Sequence, residues 1–194
     1  MNPDQPNRIG RTPLWEAASN GHEGVVKLLL ERKEVNPDSS PVGGITPLLV
    51  AASSGHKGIV KLLLERKEVD PGSSSSYGET SLYLAARTGY EGIVKLLLKH
   101  KEVNPNSPNQ HGSTPLFVAV QNRNESIVKL LLERKEVNPN SSPSWGPTPL
   151  LWAAEKGHEG IVKLLLERKE VNPNSRDNDG DTPLSLAPRK DTKA

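Results

Sequence analysis

The sequence predicts an all-α solenoid, a chain in which short helical hairpins stack side by side. A Thr-Pro-Leu motif, with Ser replacing Pro once, recurs every 34 residues without insertion or deletion, beginning at Thr12, Thr46, Thr80, Thr114, Thr148 and Thr182. A second block, GHEGIVKLLLERKEVNPN at 157–174, is nearly identical in five copies. Segments rich in Pro, Ser and Gly join the copies. A fixed period of this length is the sequence signature of a repeat array.

Each unit begins with a short helix. Thr12 is the predicted N-cap, because its hydroxyl can accept a hydrogen bond from an N–H group of the first turn. Pro13 follows at the first helical position, where the missing N–H costs nothing. Gly21 can take the left-handed conformation at the end of a helix, so it marks the end of this one.

A second helix follows from about Glu23 to Lys33. Its apolar residues cover more than one face, so it must pack against its partner helix and against neighbouring units; they are Val25, Val26, Leu28, Leu29 and Leu30. Its charged residues remain for the solvent. The next segment, VNPDSSPVGG, is dense in turn-forming residues and predicts a turn or hairpin.

The array is expected to form one domain over residues 1–194. Its units span about 10–43, 44–77, 78–111, 112–145 and 146–179, with a truncated unit at 180–194. The first ten residues match the later part of a segment that connects two units. Pro188 falls inside the sixth copy of the first-helix pattern, where a proline removes a backbone hydrogen bond. We expect no second helix after it.

The pattern G-x-T-P-L-x-x-A-A-x-x-G-H, then x-x-V-V-x-L-L-L, resembles the ankyrin repeat. It is legible over 10–30, 44–64, 78–98, 112–132 and 146–166. The resemblance implies an ankyrin-repeat solenoid. Ankyrin repeats usually carry a histidine after T-P-L, but Trp15, Leu49, Tyr83, Phe117 and Leu151 stand there. We therefore expect the inter-repeat hydrogen bonds of that histidine to be missing.

Composition excludes several classes of function. The 25 Lys and Arg against 23 Asp and Glu leave a net charge of +2, which does not favour binding to a nucleic-acid backbone. There are no cysteines, and therefore no disulfides or thiolate metal sites. The sequence has no apolar run of membrane-spanning length and no signal-peptide pattern, so we expect no membrane association and a cytoplasmic location.

No catalytic or cofactor motif is present. His22, His56 and His158 recur one to a unit, too far apart to converge on a metal ion, and the resemblance implies a structural hydrogen bond for them. A phosphate-binding glycine loop and a nucleophile elbow are both missing. We expect no metal, no cofactor and no enzymatic activity.

Variation between units marks a candidate binding surface. Second helices are almost copies, whereas residues at the turn tips and on the first helices differ from unit to unit. In the ankyrin family these positions face a concave groove that contacts partners. The predicted partner-binding residues are Arg11, Ile45, Tyr77, Glu79, Tyr83, Arg87, His111, Gln121, Trp145, Glu155 and Lys156.

The aromatic residues divide by environment. Tyr77 and Trp145 lie at turn tips, where little core is available to bury them, and such side chains are common interface hot spots. Trp152 aligns with Val50, Leu84 and Val118 and is predicted to be core. For Trp15, Tyr83 and Phe117 both a buried and a concave-facing orientation remain open.

The sequence thus predicts a non-catalytic module that binds a protein or peptide on its concave surface, as a monomer. Two alternatives stay open. The near-identity of the second helices also suits an engineered or excised scaffold with no native ligand. The chain also suits a regulatory segment of a larger enzyme.

Overall fold

The computed structural model describes residues 3–41, 43–144, 146–176, 180 and 182–186. Ten helices alternate between an inner and an outer layer. First helices are α1 (Pro13–Ser19), α3 (Pro47–Ser54), α5 (Ser81–Thr88), α7 (Pro115–Gln121) and α9 (Pro149–Glu155). Second helices are α2 (Glu23–Leu30), α4 (Lys57–Leu64), α6 (Glu91–Leu97), α8 (Glu125–Leu132) and α10 (Glu159–Leu166). A last short helix, α11 (Pro183–Leu186), packs on α9.

The all-α prediction is confirmed. Within the described ranges there is no strand, and the only β-type pairing is an isolated antiparallel bridge between Ser74 and Thr80. In that same part of the chain, every helix is too short to cross a membrane.

The predicted N-caps are confirmed. The hydroxyl of Thr12 accepts a hydrogen bond from the N–H of Trp15 at 3.2 Å, and Thr46 accepts one from Leu49 at 3.3 Å. The threonines that begin α5, α7 and α9 do the same. Each cap satisfies one of the N–H groups that the first turn of a helix leaves free.

Second helices end earlier than predicted. The prediction extended α2 to Lys33, but the helix ends at Leu30. Beyond it the chain tightens, because the N–H of Arg32 donates to the Leu29 carbonyl and the N–H of Val35 donates to the Arg32 carbonyl. Charged residues therefore form the turn that leads out of the repeat, and Val35 returns to the core with 4% of its surface exposed.

One continuous core runs between the two helix layers. Consecutive first helices pack together, and consecutive second helices pack behind them. Neighbouring positions on a second helix are both buried, as Ile59 and Val60 show at 1% and 0% exposure. In the first repeat the equivalent of Ile59 is Val25, which is 48% exposed. The residue at this repeat position is therefore buried only where the preceding repeat packs against it.

Candidate partner-binding surface

Side chains close several of the turn tips, meaning the residues around the glycine that precedes each Thr-Pro-Leu motif. Asn109 Oδ1 accepts from the N–H groups of His111 and Ser113, both at 3.0 Å. Ser75 Oγ accepts from the N–H groups of Tyr77 and Glu79, both at 3.3 Å. Short polar side chains favour such local turns, so these tips have a defined shape before any partner binds.

Backbone hydrogen bonds join successive tips from the second, around Gly44, to the fifth, around Gly146. The N–H of Ser76 donates to the Gly43 carbonyl at 2.8 Å, and the N–H of Gln110 donates to the Tyr77 carbonyl at 2.8 Å. A third bond of this kind runs from Ser144 to His111 at 2.9 Å. The tips therefore form a fixed row along one edge of the stack.

Two first-helix aromatics connect the helices to this row. Trp15 Nε1 donates to the Ile45 carbonyl of the next tip at 2.8 Å, and Asn109 Nδ2 donates to the Tyr83 hydroxyl at 3.1 Å. Both aromatics stand where ankyrin repeats usually carry histidine. The expectation that this position would lose its inter-repeat hydrogen bonds is therefore wrong for these two units, because other polar ring atoms replace the imidazole.

Cationic side chains lie across aromatic rings on the same surface. Arg87 lies 5.9 Å from the centre of the Tyr83 ring and forms an ion pair with Glu79. Arg11 lies 4.2 Å from the centre of the Trp15 ring. Contacts of this kind hold a guanidinium in one place through the electrostatics of the ring face. The charges of this surface are thus positioned in the free protein.

A similar arrangement occurs in the fifth unit. Lys156 Nζ lies 4.9 Å from the Trp152 ring centre and 2.7 Å from Glu155. Trp152 is half-buried and meets Phe117 edge to face, with ring centres 5.9 Å apart. It packs against the core as predicted, although it also supports a cation at the surface.

The predicted residues differ in their access to solvent. Six are exposed: Tyr77, Arg87, His111, Gln121, Glu155 and Lys156. Arg11, Ile45 and Glu79 are half-buried. Trp145 lies outside the described residues.

Tyr83 requires a correction. It was predicted to contact a partner, but its side chain is only 5% exposed, because the ring packs into the core and its hydroxyl receives the hydrogen bond from Asn109. Trp15 and Phe117, whose orientation the sequence left open, are also buried. Tyr83 acts on the surface through Arg87, which lies over it.

The prediction missed Ile9, an exposed residue of the first tip. It is 58% exposed and occupies the same repeat position as Tyr77. The 34-residue spacing between Ile9, Gly43 and Tyr77 was the signal that could have identified it.

His56 has the predicted structural role, whereas His22 and His158 make no side-chain hydrogen bond to the described residues. His56 Nε2 lies 3.2 Å from the Ser19 carbonyl of the preceding unit, and Asn124 Nδ2, at the same repeat position, donates to Ala86 at 2.8 Å. Among the described residues, no group of His, Asp or Glu side chains is arranged to hold a metal ion.

Comparison with known proteins identifies the family. The family model for ankyrin repeats (three copies) matches residues 1–75, 67–143 and 135–193. The chain belongs to the ankyrin repeat family. Ankyrin repeats are protein-interaction modules, and the resemblance drawn from the motifs is confirmed.

A solved ankyrin structure has the same fold. The ankyrin repeat domain of Bcl-3, a member of the IκB protein family, aligns with a TM-score of 0.86 at 26% identity. The alignment covers 96% of this chain and 82% of the other. No curated protein matches the sequence significantly.

Proposed function

We propose that this ankyrin chain is a non-catalytic module that binds a protein or peptide, as a monomer, on the surface formed by its turn tips and first helices. The observation that carries the proposal is Tyr77. Its side chain is 57% exposed, while its backbone carbonyl is fixed by Gln110. An exposed aromatic on an ordered backbone is typical of an interface hot spot.

The charged neighbours of Tyr77 are also held in place. Glu79, in the same tip, pairs with Arg87 from α5, and Arg87 lies over the Tyr83 ring. A partner that contacts these side chains needs to order few of them, so little conformational entropy is lost on binding. The arrangement favours a partner that has an apolar group for Tyr77 and polar groups for the ion pair.

The test is capture of partners from an extract of the cells that produce this protein, with the full chain immobilised. We expect retained proteins to be lost with Tyr77→Ala and with Arg87→Ala. Lys163→Ala is the matched control, because Lys163 is exposed on α10, away from the tips. Circular dichroism of each variant establishes that the fold is intact.

Two results would contradict the proposal. One is that the intact chain retains no protein, which would support a scaffold without a native ligand. The other is that retention falls equally with Lys163→Ala and Tyr77→Ala, which would place binding elsewhere.

A further inference from the structure

Acidic side chains repeatedly cover the start of the next second helix. A Cβ atom built on Gly58 would lie 2.0 Å from Glu23 Oε2, and one on Gly160 would lie 2.4 Å from Glu125 Oε1. The missing Cβ of each glycine therefore makes room for a carboxylate from the preceding repeat. A negative charge there is favourable, because the N-terminus of a helix carries a partial positive charge.

Arginines repeatedly bind the end of the preceding second helix. Arg66 Nη1 donates to the Leu30 carbonyl at 2.6 Å and Arg168 Nη1 donates to Leu132 at 2.8 Å. Arg134 makes the equivalent bond to Leu98 at 3.1 Å. These bonds satisfy carbonyl groups that the last turn of a helix leaves free.

Asparagines make a third recurring contact, between successive connecting turns. Asn106 Nδ2 donates to the Glu136 carbonyl at 2.6 Å, and Asn140 Nδ2 donates to Glu170 at 2.7 Å. The N–H of Asn138 also donates to Asn106 Oδ1 at 2.8 Å. Together with the glutamates and arginines, these residues bind the outer edge of one repeat to the next.

The boundary between the second and third repeats lacks all three contacts. Lys57 replaces the glutamate there, and a Cβ built on Gly92 would lie 3.4 Å from its Nζ. His100 replaces the arginine and makes no side-chain hydrogen bond to the described residues, so Leu64 has no arginine on its carbonyl. Gly72 replaces the asparagine and has no side chain to offer.

The exposure of the preceding leucines agrees with this difference. Leu30, Leu98 and Leu132, whose carbonyl groups accept a hydrogen bond from an arginine, are 7%, 9% and 9% exposed. Leu64 is half-buried. The Lys57 substitution adds a charge effect, since a cation near a helix N-terminus is unfavourable.

The inner side of the same boundary is intact. Val60 and Ile93 remain buried, α3 packs on α5, and the tip that precedes α3 stays joined to the tip that precedes α5 by the bond from Ser76 to Gly43. The second and third repeats are therefore held together along their first helices and tips and are weakly joined along their second helices.

We propose that this boundary is a joint, at which the first two repeats open as a unit from the remaining repeats. In a linear stack, stability is close to a sum of repeat terms and nearest-neighbour terms, so the weakest boundary separates the cooperative units. Opening on the outer side changes the angle between the tip that precedes α3, which carries Ile45, and the tip that precedes α5, which carries Tyr77. The joint follows from contacts outside the proposed binding surface and does not depend on partner binding.

Native-state hydrogen exchange of the full chain tests the joint. At low denaturant we expect amides of α1–α4 to exchange together and faster than those of α5–α8. Lys57→Glu combined with His100→Arg restores two contacts and should slow exchange in α3 and α4 about tenfold. Lys163→Glu, a charge change on the exposed face of α10, is the control and should leave these rates unchanged.

A reverse variant moves the boundary. Arg134→His removes the arginine contact between the third and fourth repeats, so α5 and α6 should exchange faster and approach the rates of α1–α4. The proposal is overturned if α4 and α6 exchange at the same rate in the unaltered protein. It is equally overturned if the folded double variant leaves the α4 rates unchanged.

Discussion

The carboxylate of Glu23 occupies the space above Gly58, the second residue of the next outer helix. The two residues belong to different repeats, and the contact exists only because the repeats stack. In the first repeat the equivalent glycine is Gly24, and a Cβ atom built on it would have no neighbour within 4 Å. The chain thus contains two equivalent glycines, one covered by a carboxylate (Gly58) and one uncovered (Gly24).

This pair gives a matched comparison. Gly24→Ala should raise the free energy of unfolding by about 0.5–1 kcal/mol, because alanine is a better helix former than glycine. Gly58→Ala should gain little, because its methyl group must displace the Glu23 carboxylate. Urea denaturation of both variants measures the difference, and equal stabilisation would show that the Glu23 contact contributes nothing.

The period of 34 residues was enough to predict the helices and their caps, as Thr12 shows. It could not predict that Glu23 meets Gly58, because that contact depends on the rotation between neighbouring repeats. The end of α2 at Leu30 was also missed, since charged residues such as Arg32 suit a helix and a turn equally well. Local sequence determines the helix caps, whereas packing between repeats determines contacts such as the one between Glu23 and Gly58.

Arg123 occupies a position that is glycine in the other repeats. Its φ is +57°, a left-handed conformation that costs a residue with a Cβ about 1 kcal/mol or more. A Cβ built on the equivalent Gly21 would lie 2.6 Å from the His56 ring. The corresponding ring after Arg123 is that of His158, whose Nδ1 is buried without a hydrogen-bond partner in the described structure.

Arg123→Gly is therefore expected to raise the free energy of unfolding by about 1 kcal/mol, since it removes the strain of a left-handed backbone at a residue with a Cβ. Gly55→Ala is the opposite variant and should destabilise, because its Cβ would lie 2.6 Å from the Tyr90 ring. Thermal unfolding followed by circular dichroism compares them. A lower melting temperature for Arg123→Gly would contradict this explanation.

Asp38 stands where the third, fourth and fifth repeats carry asparagine. Its Oδ2 accepts from the N–H of Asp70 at 3.4 Å, but its Oδ1 is buried without a partner. Burial raises the pKa of Asp38 above its usual value, and the nearby Asp70 carboxylate raises it further, against the opposing effect of the Asp70 N–H. An amide at this position could donate a hydrogen bond, as Asn106 does to Glu136 at 2.6 Å.

Asp38→Asn is therefore expected to raise the free energy of unfolding at pH 7 by about 1 kcal/mol. The folded state holds its Asp38 proton more tightly than the unfolded chain does, so the original protein recovers stability as the pH falls through the raised pKa. The gain from the variant should shrink over that interval and reach its smallest value below pH 3.8, the usual value of the group. Urea denaturation across this range measures it.

The control for Asp38→Asn is Asp70→Asn, which removes the neighbouring charge but provides no hydrogen-bond donor at position 38. It should give a smaller gain at pH 7. If the two variants stabilise equally, charge repulsion rather than the missing donor explains the effect.

The candidate surface was predictable in part. Repeat-to-repeat variation identified Tyr77 and Arg87, which are exposed, but it also selected Tyr83, which is buried. A first helix has a core-facing side and a groove-facing side only a few residues apart. Variation at Tyr83 reflects how each repeat meets the next tip, and a sequence comparison cannot separate that from variation for a partner.

Trp15 links the first repeat to the second through one indole hydrogen bond. Trp15→Phe removes the donor to the Ile45 carbonyl and should lower the free energy of unfolding by about 1–3 kcal/mol, because the partly buried carbonyl loses its partner. Trp152→Phe is the matched control, since the Trp152 Nε1 is buried without a hydrogen-bond partner and its removal leaves no acceptor unpaired. Urea unfolding followed by circular dichroism gives both values, and an equal loss in the two variants would show that ring size, rather than the bond to Ile45, determines the stability of these positions.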